Sequence, residues 1–322
     1  MRRLKLTGLL PALFAVFFLA PPAAAQSALR SDALYLLPQE SSLVAFVDLQ
    51  ALRASPHHEL LRQRLLTSRA AAYERFLRSL GIDPEKDLDW VAWVRVPLRS
   101  TPGREALLGI AQGRFRPELA EQFFLQQRLP IDAYRGQSLF PYRGEPGARD
   151  FLVTFLDATT LAFGTRAGLE LMLETRFGGH PDLSRNQALI ARVNEVNGRA
   201  PAWAVFDARS TPGAVRWLFP EVVKFDDYAR VAGGFRASTL QIAFGAQTSI
   251  VFQVSCGSAL DAEAFLHLLQ TGLLAHSWQT QRTHPGLSGL LARVEVGSAG
   301  ERVEARVTLE ERDVTALLES RR

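Results

Sequence analysis

The chain spells one strand–turn–helix pattern twice, and that recurrence limits its folds more than any single motif does. Residues 42–56, SLVAFVDLQALRASP, and residues 201–218, PAWAVFDARSTPGAVRWL, each read as a short apolar strand closed by an aspartate, Asp48 or Asp207. A Ser/Thr-Pro signal and a helical stretch follow in both. Pro56 and Pro212 suit a first helical turn, where the missing N–H has no partner to lose. Residues 105–125, EALLGIAQGRFRPELAEQFFL, resemble residues 249–269, SIVFQVSCGSALDAEAFLHLL. Each is a strand, a glycine (Gly113 or Gly257) and a helix with acidic residues near its start, where the helix dipole favours them. Residues 150–173 and 291–318 close the two halves, each as two strands, a short turn and a helix.

This pattern predicts two tandem related units, 36–180 and 198–322, joined by an ordered connector at 181–197. Within the joint, NQALIARVNEV has helical spacing. Residues 231–256 read as three strands in close succession, which requires antiparallel neighbours. Clustered strands with inserted helices predict an α+β fold, with antiparallel sheets and helices packed on one face, and not a doubly wound parallel sheet.

The amino terminus reads as an export signal. Arg2, Arg3 and Lys5 form a positive region, LTGLLPALFAVFFLA (residues 6–20) an apolar one, and Ala23-Ala24-Ala25 a small-residue cleavage site before Gln26. The alternative is a retained anchor, but the apolar run contains Pro11 and falls short of the ~20 residues needed to span a bilayer. The expected location is periplasmic or extracellular, with a signal peptide at 1–25 and no integral membrane span after cleavage. The formal net charge is +4. Three positive charges leave with the signal, so no strong field remains to attract nucleic acid or an anionic surface. Cys256 is the single cysteine. An exported chain with one thiol forms no internal disulfide, and stability must come from burial. The alternation of SIVFQVSC places Cys256 in a strand as a buried, inert thiol.

The recognisable catalytic signatures are missing. No G-x-S-x-G elbow, P-loop, G-x-G-x-x-G turn or H-E-x-x-H occurs, and no cofactor is expected. His57-His58-Glu59 is the one histidine cluster. Adjacent helical residues point about 100° apart, so an exposed polar role is expected for it and not a shared metal. His267 and His276 lack acidic or cysteine partners at ligand spacing. The five tryptophans, Trp90, Trp93, Trp203, Trp217 and Trp278, are expected mainly in the core. An aromatic groove for glycan or lipid is the alternative.

The most charged short stretch is GIDPEKDLDW, residues 81–90. Asp83, Glu85, Asp87 and Asp89 supply oxygens at alternate positions, as a calcium loop does. A calcium loop of that kind also needs glycine at its sixth position and glutamate at its twelfth. Leu88 and Val94 stand there. The four carboxylates are therefore weak metal candidates. The structural reading covers more residues: a helix stopped at Gly81, a turn capped by Asp83 and Pro84, and a strand launched at Trp90.

GIDPEKDLDWV after a helix, together with LPQESSLVAFVDL, the later GRF before a helix and YRGQSLF, resembles the DUF3352-like group of bacterial exported proteins. The likeness lies mainly in the first unit. It implies an exported α+β domain and no catalytic residue. The functional expectation is thus a non-catalytic envelope protein that binds a protein partner or an apolar ligand. One alternative is a hydrolase with a dispersed acidic site drawn from Asp48, Asp207, Asp226 and Asp227. The other is a purely structural assembly module.

Overall fold

The structure, a computed structural model, describes residues 28–56, 58–59, 68–98, 101, 103–142, 151–245, 247–310 and 312–313. The expected signal peptide at 1–25 and His57 lie outside these residues. The chain is α+β and divides into two compact units. One comprises residues up to Ser41 and Phe46–Asn186, the other Ser42–Ala45 and the residues from Gln187 onward.

The first unit begins with a short helix α1 (Ser31–Leu34). Strand β1 (Leu43–Asp48) divides between the units after Ala45, and all six of its residues are buried. Helices α2 (Leu49–Arg53) and α3 (Ser68–Ser79) lead to β2 (Leu88–Pro97) and β3 (Glu105–Gly113). Helix α4 (Pro117–Gln126) follows, then β4 (Asp132–Tyr134), β5 (Gln137–Pro141), β6 (Phe151–Phe155), β7 (Thr160–Thr165) and helix α5 (Arg166–Arg176). The strand order is β1-β2-β3-β7-β6-β5-β4. The β2–β3, β3–β7, β6–β7, β5–β6 and β4–β5 ladders are all antiparallel.

The second unit runs through α6 (Gln187–Val196), β8 (Ala202–Asp207), α7 (Thr211–Leu218), a 3-10 turn at Val222–Lys224 and α8 (Tyr228–Ala232). It continues with β9 (Phe235–Ala243), β10 (Thr248–Cys256), α9 (Ala259–Thr280), α10 (Pro285–Leu291), β11 (Glu295–Ala299) and β12 (Arg302–Leu309). The strand order is β8-β9-β10-β12-β11, with the β8–β9, β9–β10, β10–β12 and β11–β12 ladders antiparallel.

Residues 231–256 hold two nine-residue strands, not the three their composition suggests. Val231 and Ala232 finish α8 instead, and the Gly233-Gly234 pair ends it. Regular helices also exceed the sequence reading at Pro285–Leu291, where proline opens a short helix.

Aromatic rings and close approaches of glycine hold the sheets together. Phe46 meets Trp90 at 5.7 Å between ring centres, and Phe140 stacks edge-on to both Phe124 (5.2 Å) and Phe155 (5.8 Å). In the second unit Phe235 meets Phe265 at 4.8 Å. Gly109 pairs with Phe163 across the β3–β7 ladder. A Cβ at Gly109 would lie 2.1 Å from that ring, so only glycine lets the ring cover the strand.

Candidate functional site

The charged junction at 81–90 is built from backbone caps. Helix α3 ends in a Schellman motif: Ile82 N–H donates to Leu77 O and Gly81 N–H to Arg78 O, both at 3.0 Å. Gly81 takes φ +77°, which a residue with a Cβ adopts only at a cost. Asp83 then accepts the Glu85 N–H (3.2 Å), and Asp87 accepts the Asp83 N–H (2.7 Å). Asp89 is the extra residue of a bulge, because Leu88 pairs with Gly113 and Trp90 with Gln112. Its carboxylate accepts from Gln50 Nε2 at 2.6 Å.

Two of the four carboxylates share a cation, and the other two serve separate donors. Asp83 is met by Arg78 (2.8 Å) and Lys86 (3.6 Å), and Glu85 lies 4.0 Å from Arg78. The Arg53 guanidinium is half-buried behind the turn and donates to the carbonyls of Pro84 and Leu88. Burial lowers its pKa, against the attraction of Asp89, Asp48, Asp83 and Asp87. Gly113 is required here too: a Cβ would lie 1.9 Å from Asp87 O. This explains the glycine between β3 and α4. Among the described residues no group of three or more His, Cys, Asp or Glu side chains is placed to hold a metal.

The strand-end aspartates act alike. Buried Asp48 accepts the Ala51 N–H at 2.9 Å and caps α2. Asp207 accepts the Ser210 N–H at 2.8 Å and is paired with Arg209 at 3.1 Å. Asp226 is exposed, and Asp227 is exposed beside Arg230 at 3.4 Å. These four candidate acids do not form a shared cluster in either unit.

A polar network that the sequence did not single out lies on the first unit. Glu174 of α5 receives Tyr134 Oη at 2.5 Å, and Arg135 Nε and Nη2 both at 2.7 Å. These bonds hold the Glu174 carboxyl below its ordinary range, the Arg135 bond most strongly, and raise the Tyr134 phenol. Arg135 and Gly136, at φ +47° and +78°, form the hairpin turn between β4 and β5. The Arg-Gly pair is the signal for that turn. Its ionic partner, some forty residues on, had no sequence cue. His180 and Glu40 also pair at 2.7 Å in this unit.

The tryptophans divide. Trp90, Trp93 and Trp203 are buried as expected. Trp217 and Trp278 are not, at 43% and 69% exposed. The outlying Trp278 stands one turn after Leu274, itself 51% exposed, on α9. The opposite side of α9 is built into the unit through Phe265, Leu269, Gly272 and Leu273. A Cβ at Gly272 would lie 2.6 Å from Val222, so α9 sits directly on the 3-10 turn. Helix α7, which carries Trp217, packs on that same turn. Glu221 ties the region together: it accepts Lys224 Nζ at 2.5 and 2.6 Å and Gln279 Nε2 at 3.1 Å. Arg216, next to Trp217, and Arg282, one turn after Trp278, are exposed cations, while Lys224 is paired with Glu221.

His58 departs from its expected exposure. It is 4% exposed, and its backbone N–H closes a turn on Ser55 O that carries the ring inward. His267 is exposed, 4.0 Å from Glu263. His276 is partly buried, which lowers its pKa. Cys256 is buried at the end of β10, and burial pushes its thiol up to about 11. No helix among the described residues is long and apolar enough to cross a membrane.

No family model and no curated protein matches the chain. Solved structures similar to it include two of TP0453. The structure of crystal form I of TP0453 aligns with TM-score 0.51 and 11% identity over 89% of this chain and 96% of that one. Crystal form III of TP0453 gives TM-score 0.49 and 10% identity over 90% and 98%. At 11% identity the first likeness speaks to fold alone.

Proposed function

We propose that this chain is an exported, non-catalytic binding protein that holds a protein partner on the outward side of α9. The observation that carries this reading is the pair Leu274 and Trp278. Two large apolar side chains one turn apart stand in water on a helix whose other side is fixed in a core. A helix apolar on every side needs cover on every side. Exposed tryptophan with arginine at the rim is the composition of an interface anchor. The basic rim fits an apolar partner segment flanked by acidic residues.

The caps support the non-catalytic part. Asp48 and Asp207 each give an oxygen to a helix or turn start, and the carboxylates at 81–90 are taken up by Arg78, Lys86, Gln50 and the Asp83 N–H. A hydrolase would require such groups to converge on a substrate. The matched strand orders, β1-β2-β3-β7-β6 and β8-β9-β10-β12-β11, support duplication of one ancestral unit. The first copy then gained the β4–β5 hairpin and the second gained α10. This fits the DUF3352-like likeness of the first unit and the export signal at 1–25. Amino-terminal sequencing of the exported chain should begin at Gln26.

A photo-crosslinker at Leu274, in cells, tests the binding reading. A discrete protein adduct that Trp278→Ala removes is expected. An adduct pattern unchanged by Trp278→Ala would overturn the assignment of this face.

A further inference from the structure

Strand β11 is the end strand of the second unit's sheet among the described residues, and four of its five residues are exposed. We propose that this edge pairs, antiparallel, with the β11 of a second copy of the chain.

The register shows which backbone groups are free to do so. Cys256 N–H donates to Glu301 O, so Glu301 points toward β10, and Val303 and Ala305 do likewise by alternation. Arg302, Glu304 and Arg306 then bond toward β11, to Ala299, Gly297 and Glu295. Val296 and Ser298 are left with N–H and C=O aimed away from the sheet. Edge strands are normally blunted by shortness, charge, proline or a bulge, and β11 has five residues with one charge, Glu295. Glu295–Ala299 contains no proline, and its register with β12 is unbroken.

The sequence of the edge is self-complementary. Turned about a twofold axis at Gly297, Val296 faces Ser298 of the second copy, and Ser298 faces its Val296. Both are hydrogen-bonded pairs, giving four bonds. Glu295 then faces Ala299 of the second copy. That small residue leaves Glu295 about two strand spacings, or ~10 Å, from Arg302 of the other chain, within reach of the two long side chains. Arg306 flanks Glu295 from its own chain. Each cross-sheet row therefore reads Arg306, Glu295, Ala299, Arg302, with the carboxylate between two cations that in their own chains also meet Glu304 and Glu195. The two Glu304 carboxylates lie about three strand spacings apart, ~14 Å and beyond the screening length. Each is already met by Gln253 and Arg306.

Gly297 sits on the axis as a non-hydrogen-bonded pair with itself, where Cα atoms approach to about 4.5 Å, a spacing a disulfide accepts. A Cβ at Gly297 meets nothing within 4 Å, so substitutions there leave the fold intact. The test is sedimentation of the full exported chain at up to about 100 μM, with two variants. Gly297→Cys is expected to form a disulfide-linked dimer on mild oxidation. The wild type, whose Cys256 is buried, is expected to form none. Gly297→Lys faces Glu304 in its own chain and a like charge across the axis, and is expected to weaken the dimer up to about fivefold. A wild-type chain that stays monomeric at that concentration overturns the proposal. So does a dimer that Gly297→Lys leaves unchanged and Gly297→Cys does not link. None of these substitutions is at Leu274 or Trp278, and because α9 packs beside β11 an adduct at Leu274 with the mass of a second copy would merge the two surfaces.

Discussion

Alanine at Phe265 and alanine at Trp278 remove similar rings from the same helix, and the structure predicts very different costs. Phe265 has no exposed surface and its ring meets Phe235 at 4.8 Å. Truncating such a residue leaves a cavity and costs about 3–5 kcal/mol. Trp278 is 69% exposed. Roughly a third of a tryptophan's ~250 Å² is hidden, some 80 Å², and at ~25 cal/mol/Å² the loss is at most about 2 kcal/mol. Alanine also favours the helix over tryptophan by about 0.5 kcal/mol. The expected net cost is about 1 kcal/mol. Urea unfolding followed by circular dichroism reads both, as a shift of midpoint at constant slope. If Trp278→Ala destabilises as much as Phe265→Ala, Trp278 is a packing residue and its assignment to a binding face fails.

Asp48→Ala and Asp207→Ala should each cost about 0.5–2 kcal/mol, as lost caps do. Asp48→Asn should recover most of that stability, checked by the same unfolding curves; no recovery would point to a role for the charge. Cys256, with its thiol held at about 11, should be about 0.1% thiolate at pH 8, against roughly a quarter for a free thiol. Native labelling should therefore run at least ~200-fold slower than in the unfolded chain. A rate within tenfold of the unfolded chain would contradict the burial. Glu174 has a folded pKa below its ordinary 4.5. Its contribution is complete above pH 4.5 and is lost as pH falls through the lower folded value. Acid titration of stability in Glu174→Gln should be flatter than wild type below pH 4.5, and identical curves would show that the Arg135 and Tyr134 bonds add nothing.

Local grammar was legible in the sequence. Gly81 ends α3 because its φ needs glycine, and Asp48 and Asp207 stop their strands because aspartate satisfies the next free N–H groups. The glycine between β3 and α4 was visible, but its reason was not: Gly113 yields space to Asp87 O, a contact between residues 26 positions apart. The same limit hid the bulge at Asp89, which exists only in register with β3. Burial of large residues was the least legible property. Trp93 and Trp278 look alike in composition, yet one lies inside a ladder and the other on the outer turn of a helix whose apolar residues point every way. Hydrophobicity alone placed both inside. His58 erred the other way, because a turn on Ser55 set its direction. At Phe235 the run of apolar residues began one element late, since Val231 and Ala232 complete a helix before the double glycine.

The proposed binding role requires the outward side of α9 to be covered by another protein. A photo-crosslinker placed at Leu274 in the chain expressed in cells measures this directly, with a second probe at exposed Tyr35 of the first unit as reference. The account predicts one discrete adduct at Leu274, absent at Tyr35 and lost on Trp278→Ala. Equal labelling at both positions, or an adduct at Leu274 that survives Trp278→Ala, would contradict it.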